Sequence, residues 1–209
     1  NVETKIHEAR YGKDTLPEGN LYRASELQQD EREMLKLETE QQKTLYLRGY
    51  VGAEYVDGFW DPLPDSAYGG KNAGMLEWLK KKGFDPLTQV ADYYKYSESE
   101  NKPEKNRLDI SVSGASRYYV YNPSSLQIVR KGKFYEKKDS RLCSRGVFGA
   151  SEYAMDELSG SRPAELTITD SWVSSPKTDD QKKYLEAEAV YRTFVYDNYR
   201  SVDSGTAEL

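Results

Sequence analysis

The sequence predicts a mainly β protein: an antiparallel Ig-like β-sandwich with a helical insertion and a C-terminal helix, α+β overall. Three observations carry this expectation. Short runs with period-two alternation, such as Leu35/Leu37 and Leu108/Ile110/Val112, lie on both sides of a central helical stretch. The dipeptide Asp57-Gly58 separates two runs of strand formers and reads as a two-residue hairpin turn. A capped run with an apolar stripe occupies the C-terminal quarter.

Residues 1–20 are polar and carry Gly12, Pro17 and Gly19, which reads as an N-terminal arm. Met34 to Thr39 alternates at Leu35 and Leu37 as a half-buried strand. Thr44 to Val51 is rich in strand formers and interrupted by Gly49, the mark of a bulge or a close approach. Glu54-Tyr55-Val56 meets Phe59-Trp60 across the Asp57-Gly58 turn, and Pro62 and Pro64 end the hairpin. The helical insertion spans about 72–95: Met75, Leu76 and Leu79 fall at helical spacing, Lys80 to Lys82 suit the carbonyl end, and Gly83 is the expected C′ residue. A second short helix starts with Asp85 as N-cap and Pro86 at its first position, burying Leu87, Val90 and Tyr94.

Ser97 to Asn106 reads as a charged loop, after which Leu108, Ile110 and Val112 alternate and Arg117 to Tyr121 is aromatic and extended. Leu126 to Ile128 and Lys133 to Tyr135 read as a pair around Lys131-Gly132, and Glu165 to Thr169 as a further strand. Cys143 to Arg162 is irregular, with one helical turn expected near Tyr153 to Leu158. Thr178 with Gln181 makes a capping box, and Tyr184, Ala187, Tyr191, Phe194 and Val195 line one helix face. The expected organisation is therefore an arm (1–20), a sandwich domain (21–175), a C-terminal helix (176–200) and a frayed tail (201–209).

Composition bounds function. Leu, Ile, Val and Phe account for 39 of the 209 residues, so the aliphatic supply is thin. Eighteen Tyr and three Trp restore apolar area, and a net charge of −5 is modest, so a folded domain with one core is expected. No run of about 18 apolar residues is present to span a bilayer. A single cysteine, Cys143, excludes an internal disulfide framework, and a single histidine, His7, removes most metal constellations. A pI near 5.2 argues against nucleic acid as a partner.

Candidate chemistry is sparse. Cys143 between Arg141 and Arg145 is the one thiol nucleophile on offer, but its base would have to be His7, in the arm. Asp57, Asp61 and Asp65 lack calcium-loop spacing and read as turn residues. Thirty-five acidic residues permit a hydrolytic carboxylate pair without singling one out. Arg130 to Arg145 carries seven basic residues, and Lys131, Lys133, Lys137 and Lys138 form a candidate surface for cell-wall polymer or another anionic layer. The tyrosines Tyr118, Tyr119 and Tyr121 serve either as a sugar-stacking platform or as a core margin.

The run from Leu45 to Trp60, LYLRGYVGAEYVDGFW, resembles the segment that precedes the catalytic core in bacterial membrane-anchored transglutaminase-like proteins. The order of the later elements is also similar: a helical insert at Met75 to Phe84, a strand near Tyr119 to Pro123, and a helix carrying Tyr184, Tyr191, Phe194, Val195 and Tyr199. The family's closing "Y..VP" reads Tyr199-Arg200-Ser201-Val202-Asp203, with Asp in place of Pro. That family's core uses a Cys, a His and an Asp in that chain order. Here the sole His precedes the sole Cys, so no catalytic residue carries over. The resemblance implies a non-catalytic, extracytoplasmic accessory domain at the cell surface, whose partner is a downstream transglutaminase-like domain of the same protein. No cofactor or metal is expected, and this chain is not expected to be an enzyme itself. Arg48, Gly49, Tyr55 and Trp60 match the signature and are expected to be structural: a buried polar contact, a bulge, and a core plug beside the hairpin. The competing expectation is a free-standing cell-wall or carbohydrate-binding β-sandwich module.

Overall fold

Alternate residues of Lys105–Val112 are buried, so this strand can sit in the middle of a sheet with one wet face. In the computed structural model, which describes residues 2–12, 19–23, 32–41, 43–97, 102–159, 171–199 and 201–202, it does so. The fold is mixed α and β with antiparallel sheets. Four strands, β1 (Leu35–Thr39), β5 (Lys105–Val112), β10 (Glu152–Leu158) and β7 (Leu126–Lys131), form the main sheet in the order β1-β5-β10-β7. Its inner face supplies Leu108, Ile110, Val112, Leu126, Tyr153 and Met155 to the first core. Two short antiparallel pairs belong to the same region: β2 (Leu47–Arg48) with β6 (Asn122–Pro123), and β8 (Phe134–Glu136) with β9 (Leu142–Ser144). Leu142 and Val120 are buried in that core, with Leu45 and Leu47 packed against it. The outer face carries ion pairs along and across strands, Lys36–Glu38, Arg107–Asp109 and Arg130–Asp156.

The hairpin of β3 (Glu54–Val56) and β4 (Phe59–Asp61) forms across Asp57-Gly58 as expected. Both turn residues have positive φ, 45° and 78°, the geometry that matches strand twist in a two-residue loop. Its other neighbour is β11 (Ser201–Val202), which pairs in parallel with β3, so part of the expected frayed tail is strand.

A second core is helical. α2 (Met75–Lys81) ends in a Schellman motif: the Phe84 N–H donates to Leu79 O and the Gly83 N–H to Lys80 O, both at 3.1 Å, with Gly83 at φ +86°. α3 (Gln89–Tyr96), α4 (Ser171–Ser174) and α5 (Asp179–Asn198) complete the layer. Thr178 and Gln181 make the capping box reciprocally. Met75, Leu79, Phe84, Tyr93, Trp172, Tyr184, Ala187 and Phe194 are buried together, so the stripe of α5 is satisfied within this domain.

Several expectations are corrected. The N-terminal arm begins with a helix, α1 (Val2–Tyr11), none of whose residues is buried. It is held by its end, where Arg117 N–H donates to Tyr11 O at 2.7 Å. Asp85 caps a turn through Leu87 N–H at 3.0 Å, and helix α3 starts four residues later, burying Tyr93 rather than Tyr94. β7 and β8 pair with β10 and β9, not with each other. The helical turn expected near Tyr153 to Leu158 is β10, an interior strand of the main sheet. The strand expected at Glu165 to Thr169 lies outside the described residues.

Candidate functional site

The four signature residues separate into two places. Arg48 and Gly49 lie at the joint between the sheet region and the helical layer. A Cβ on Gly49 would stand 2.7 Å from Cε1 of Tyr121, so the close approach expected there is real. Tyr121 cannot move aside freely, because its hydroxyl donates to Ser116 O at 3.1 Å and its N–H donates to the Tyr153 hydroxyl at 2.8 Å. Arg48 makes the expected polar contact: its guanidinium donates to Ser140 O at 3.0 Å. Burial pushes its pKa below the usual arginine value, opposed by Tyr191 of α5, Asp139 and Tyr199. Asp139 is itself paired with Arg141 at 2.6 Å, and the Arg141 guanidinium lies over the Tyr50 ring. Within the helical layer beside it, the Tyr68 and Tyr199 hydroxyls are hydrogen-bonded at 3.0 Å.

Tyr55 and Trp60 lie elsewhere, directly opposite each other in the β3–β4 hairpin, with ring centroids 5.3 Å apart. Trp60 is not the expected core plug: it remains 38% exposed. It packs over Gly52, where a Cβ would stand 2.8 Å from its own Cβ, and its carbonyl accepts from Tyr50 Oη at 2.6 Å. A hairpin of three-residue strands has too little surface to enclose an indole. Phe59 is exposed on the same hairpin, and its ring meets that of Tyr22 at 5.9 Å, beside exposed Leu21. Tyr22 and Phe59 thus form an exposed aromatic pair, with Leu21 beside it, on the β4 edge away from β11, while Trp60 lies on the opposite face of the hairpin against Tyr55. Leu21 and Tyr22 escape a reading of the sequence because they fall just past the expected arm (1–20), in a stretch with no strand or helix pattern; a turn-flanked Leu-Tyr pair is the signal available.

Cys143 is fully buried, and burial pushes its thiol up, against lowering contributions from Tyr118 and Arg141. His7, on the surface helix α1, meets Tyr11 in a tilted contact and Tyr118 in an edge contact. Tyr118 therefore stands between the two groups, bonded to Tyr135 Oη at 3.0 Å, and no thiolate–imidazole pair is assembled. Of the platform tyrosines, Tyr119 is buried and Tyr121 half-buried, so these rings act as core margin. The four lysines are divided: Lys138 pairs with Asp65 at 3.0 Å, Lys131 with Glu152 at 3.7 Å, and Lys137 lies over the Tyr135 ring. Lys133 is exposed at the base of the β9–β10 connection. Among the described residues no group of three His, Cys, Asp or Glu side chains could hold a metal ion. Two surface depressions, about 350 and 110 Å³, contain one carboxylate each, Asp197 and Glu188, rather than a pair. No helix among the described residues is long and apolar enough to cross a membrane.

No family model matches this chain, and neither the curated proteins nor the solved structures contain one similar to it.

Proposed function

We propose that this chain is a non-catalytic accessory domain, held outside the membrane at the bacterial cell surface, that positions a downstream transglutaminase-like enzyme core. One observation carries the reading. The signature run forms the β3–β4 hairpin, and β11 pairs in parallel with β3, so the last described strand of the chain is seated on the edge of that hairpin. A following domain would be tethered through β11 to the signature hairpin itself. The burial of the sole thiol supports a non-catalytic role for this segment. The main sheet and the short pairs β2–β6 and β8–β9 share one core, and we read them as the two layers of an Ig-like sandwich.

The test is the source gene on either side of this segment. The expected result is a core with Cys, His and Asp in that order after residue 209, and apolar spans before residue 1. A stop codon at residue 209 overturns the reading. The exposed rings of Tyr22, Phe59 and Trp60 favour a second one, a free-standing wall- or carbohydrate-binding module, because flat aromatic faces stack on sugars. That module would bind wall polysaccharide, and Trp60→Ala with Phe59→Ala would abolish the binding without lowering the melting temperature much.

A further inference from the structure

The β9–β10 connection turns tightly at Gly146-Val147-Phe148-Gly149, closed by the Gly149 N–H donating to Gly146 O at 3.1 Å. Its two central side chains are apolar and point outward: Val147 is 64% and Phe148 67% exposed. The turn stands on a rigid base. Gly146 N–H donates to Ser144 Oγ at 3.0 Å, Ala150 N–H to Arg117 O at 2.8 Å, and Arg145 N–H to Lys133 O at 2.9 Å. A Cβ on Gly149 would overlap Arg117 O, so the chain is pressed against that segment.

The base is cationic. Arg10 of α1 donates from Nε to Val147 O at 3.0 Å, and Arg117 donates to Arg10 O at 3.2 Å. Arg145 and Lys133 complete the collar, and among the described residues none of these four cations is in an ion pair that would neutralise it. The acids that flank these cations along the chain include Glu8 in α1, Glu136 in β8, paired with Lys80 at 2.6 Å, and Glu152 at the start of β10, facing Lys131 at 3.7 Å. Val2, Ile6 and Arg10 are spaced by four and share one face of α1. Val2 and Ile6 are 72% and 54% exposed, so an apolar stripe leads toward the turn that Arg10 contacts.

We infer that this turn is a membrane-seating finger: Val147 and Phe148 enter the interface of an anionic lipid bilayer, while Arg10, Arg117, Arg145 and Lys133 meet its headgroups. An apolar tip inside a ring of cations matches the layered chemistry of that interface, apolar below and anionic above. A polyanionic wall polymer would satisfy the cations and leave Phe148 in water. A second copy of the chain is a poorer fit, because a turn tip falls far short of the roughly 800 Å² per partner of a stable interface. The inference does not rest on a downstream enzyme core.

The experiment is co-sedimentation of this protein with vesicles of phosphatidylcholine alone or mixed with phosphatidylglycerol. Binding is expected to the mixed vesicles only, weakening as salt is raised. Arg145→Gln and Lys133→Gln are each expected to weaken it about fivefold, and Phe148→Ser about tenfold. All three side chains are exposed, so far-ultraviolet circular dichroism and melting of the variants should match wild type. As a second readout, Phe148→Trp should add fluorescence that brominated acyl chains quench beyond any quenching of the wild-type tryptophans. Equal sedimentation with neutral vesicles, or none with either, overturns the proposal. So does binding that needs the cations but survives Phe148→Ser, which would mark adhesion to any polyanion, wall polymer included.

Discussion

Glu157 is the sharpest test of how the main sheet is held. It is fully buried in β10, an interior strand, and its carboxylate accepts from three groups. Asn106 Nδ2 donates at 2.8 Å and Ser125 Oγ at 2.5 Å, while the Lys43 ammonium lies at 2.7 Å. Asn106 and Ser125 are 1% and 3% exposed, so Glu157→Ala strands two buried donors. Each costs about 1–3 kcal/mol when left unpaired. The Lys43 side chain is 23% exposed and can turn toward water, which discounts the charge contribution. The expected loss is about 4 kcal/mol, within the range for breaking a buried pair. For a chain of this size that lowers the melting temperature by about 8–16 °C. Glu157→Gln keeps one acceptor and should lose roughly half as much. Thermal melts by circular dichroism, with Lys43→Met and the double variant to complete a cycle, measure both terms. A Glu157→Ala protein melting within about 2 °C of wild type would refute the reasoning, because the donors would then be satisfied without the carboxylate.

Three further outcomes are expected. Ser140 sits at φ +61° in the β8–β9 loop, a conformation that costs an L side chain, so Ser140→Gly should stabilise by about 1 kcal/mol in urea melts; destabilisation would mean that its hydroxyl, beside Tyr191, contributes more than the strain costs. Burial holds the Cys143 thiol up, so a disulfide reagent at mildly alkaline pH should leave it unmodified in the native protein and label it once urea unfolds the chain. Rapid native labelling would refute its burial. Burial also raises Asp92, against hydrogen bonds from Asp85 N–H and Thr88, and raises Glu188 against Arg192. A carboxyl held above its unfolded value binds its proton more tightly in the native state. Its contribution to stability is full below about pH 4 and is lost as pH rises through the native value. Asp92→Asn, which keeps an acceptor for those donors, should therefore flatten the fall in stability from about pH 4 to neutrality and gain on wild type at neutral pH. An unchanged slope in urea melts across that range would count against it.

Where local signals and tertiary packing agree, the fold is legible in the sequence. Asp57-Gly58 is a hairpin turn for the same reason in sequence and structure, and Lys105–Val112 alternates because one face meets a core and the other meets water. The capping box of α5 needs only residues 178–181. β10 is illegible because Glu152 to Leu158 is built of helix formers, and its acids look like solvated positions. Their partners, Arg130, Lys43, Asn106 and Ser125, are distant in sequence, so nothing local identifies Asp156 and Glu157 as strand residues. Trp60 misleads for the opposite reason: a large apolar ring suggests a core, but the small β3–β4–β11 sheet does not enclose it. Of the candidate site, the close approach at Gly49 and the polar contact of Arg48 are legible. The Val147-Phe148 tip is not, since two apolar residues between glycines become notable only once Arg10 and Arg117 are brought beside them.

The scarcity of aliphatic residues explains the division into two cores. The sheet core takes the aliphatics, Leu108, Ile110, Val112, Leu126 and Leu142, whose branched or compact shapes suit a pleated face. The helical core is built from rings, Phe84, Tyr93, Trp172, Tyr184 and Phe194, which supply more area per residue. That choice brings hydroxyls inward, and each needs a partner. Tyr184 Oη donates to Gln89 O at 3.4 Å, and Tyr68 bonds Tyr199 at 3.0 Å. Burial pushes the Tyr191 hydroxyl up to about 12, so it stays neutral beside the guanidinium of Arg48. Arg48 reaches from the sheet region to this ring-built layer, which is why a charged residue lies in the signature at the point where the two cores meet. Its charge is tolerated there because Asp139 opposes the cost of burial and Ser140 O accepts from the guanidinium.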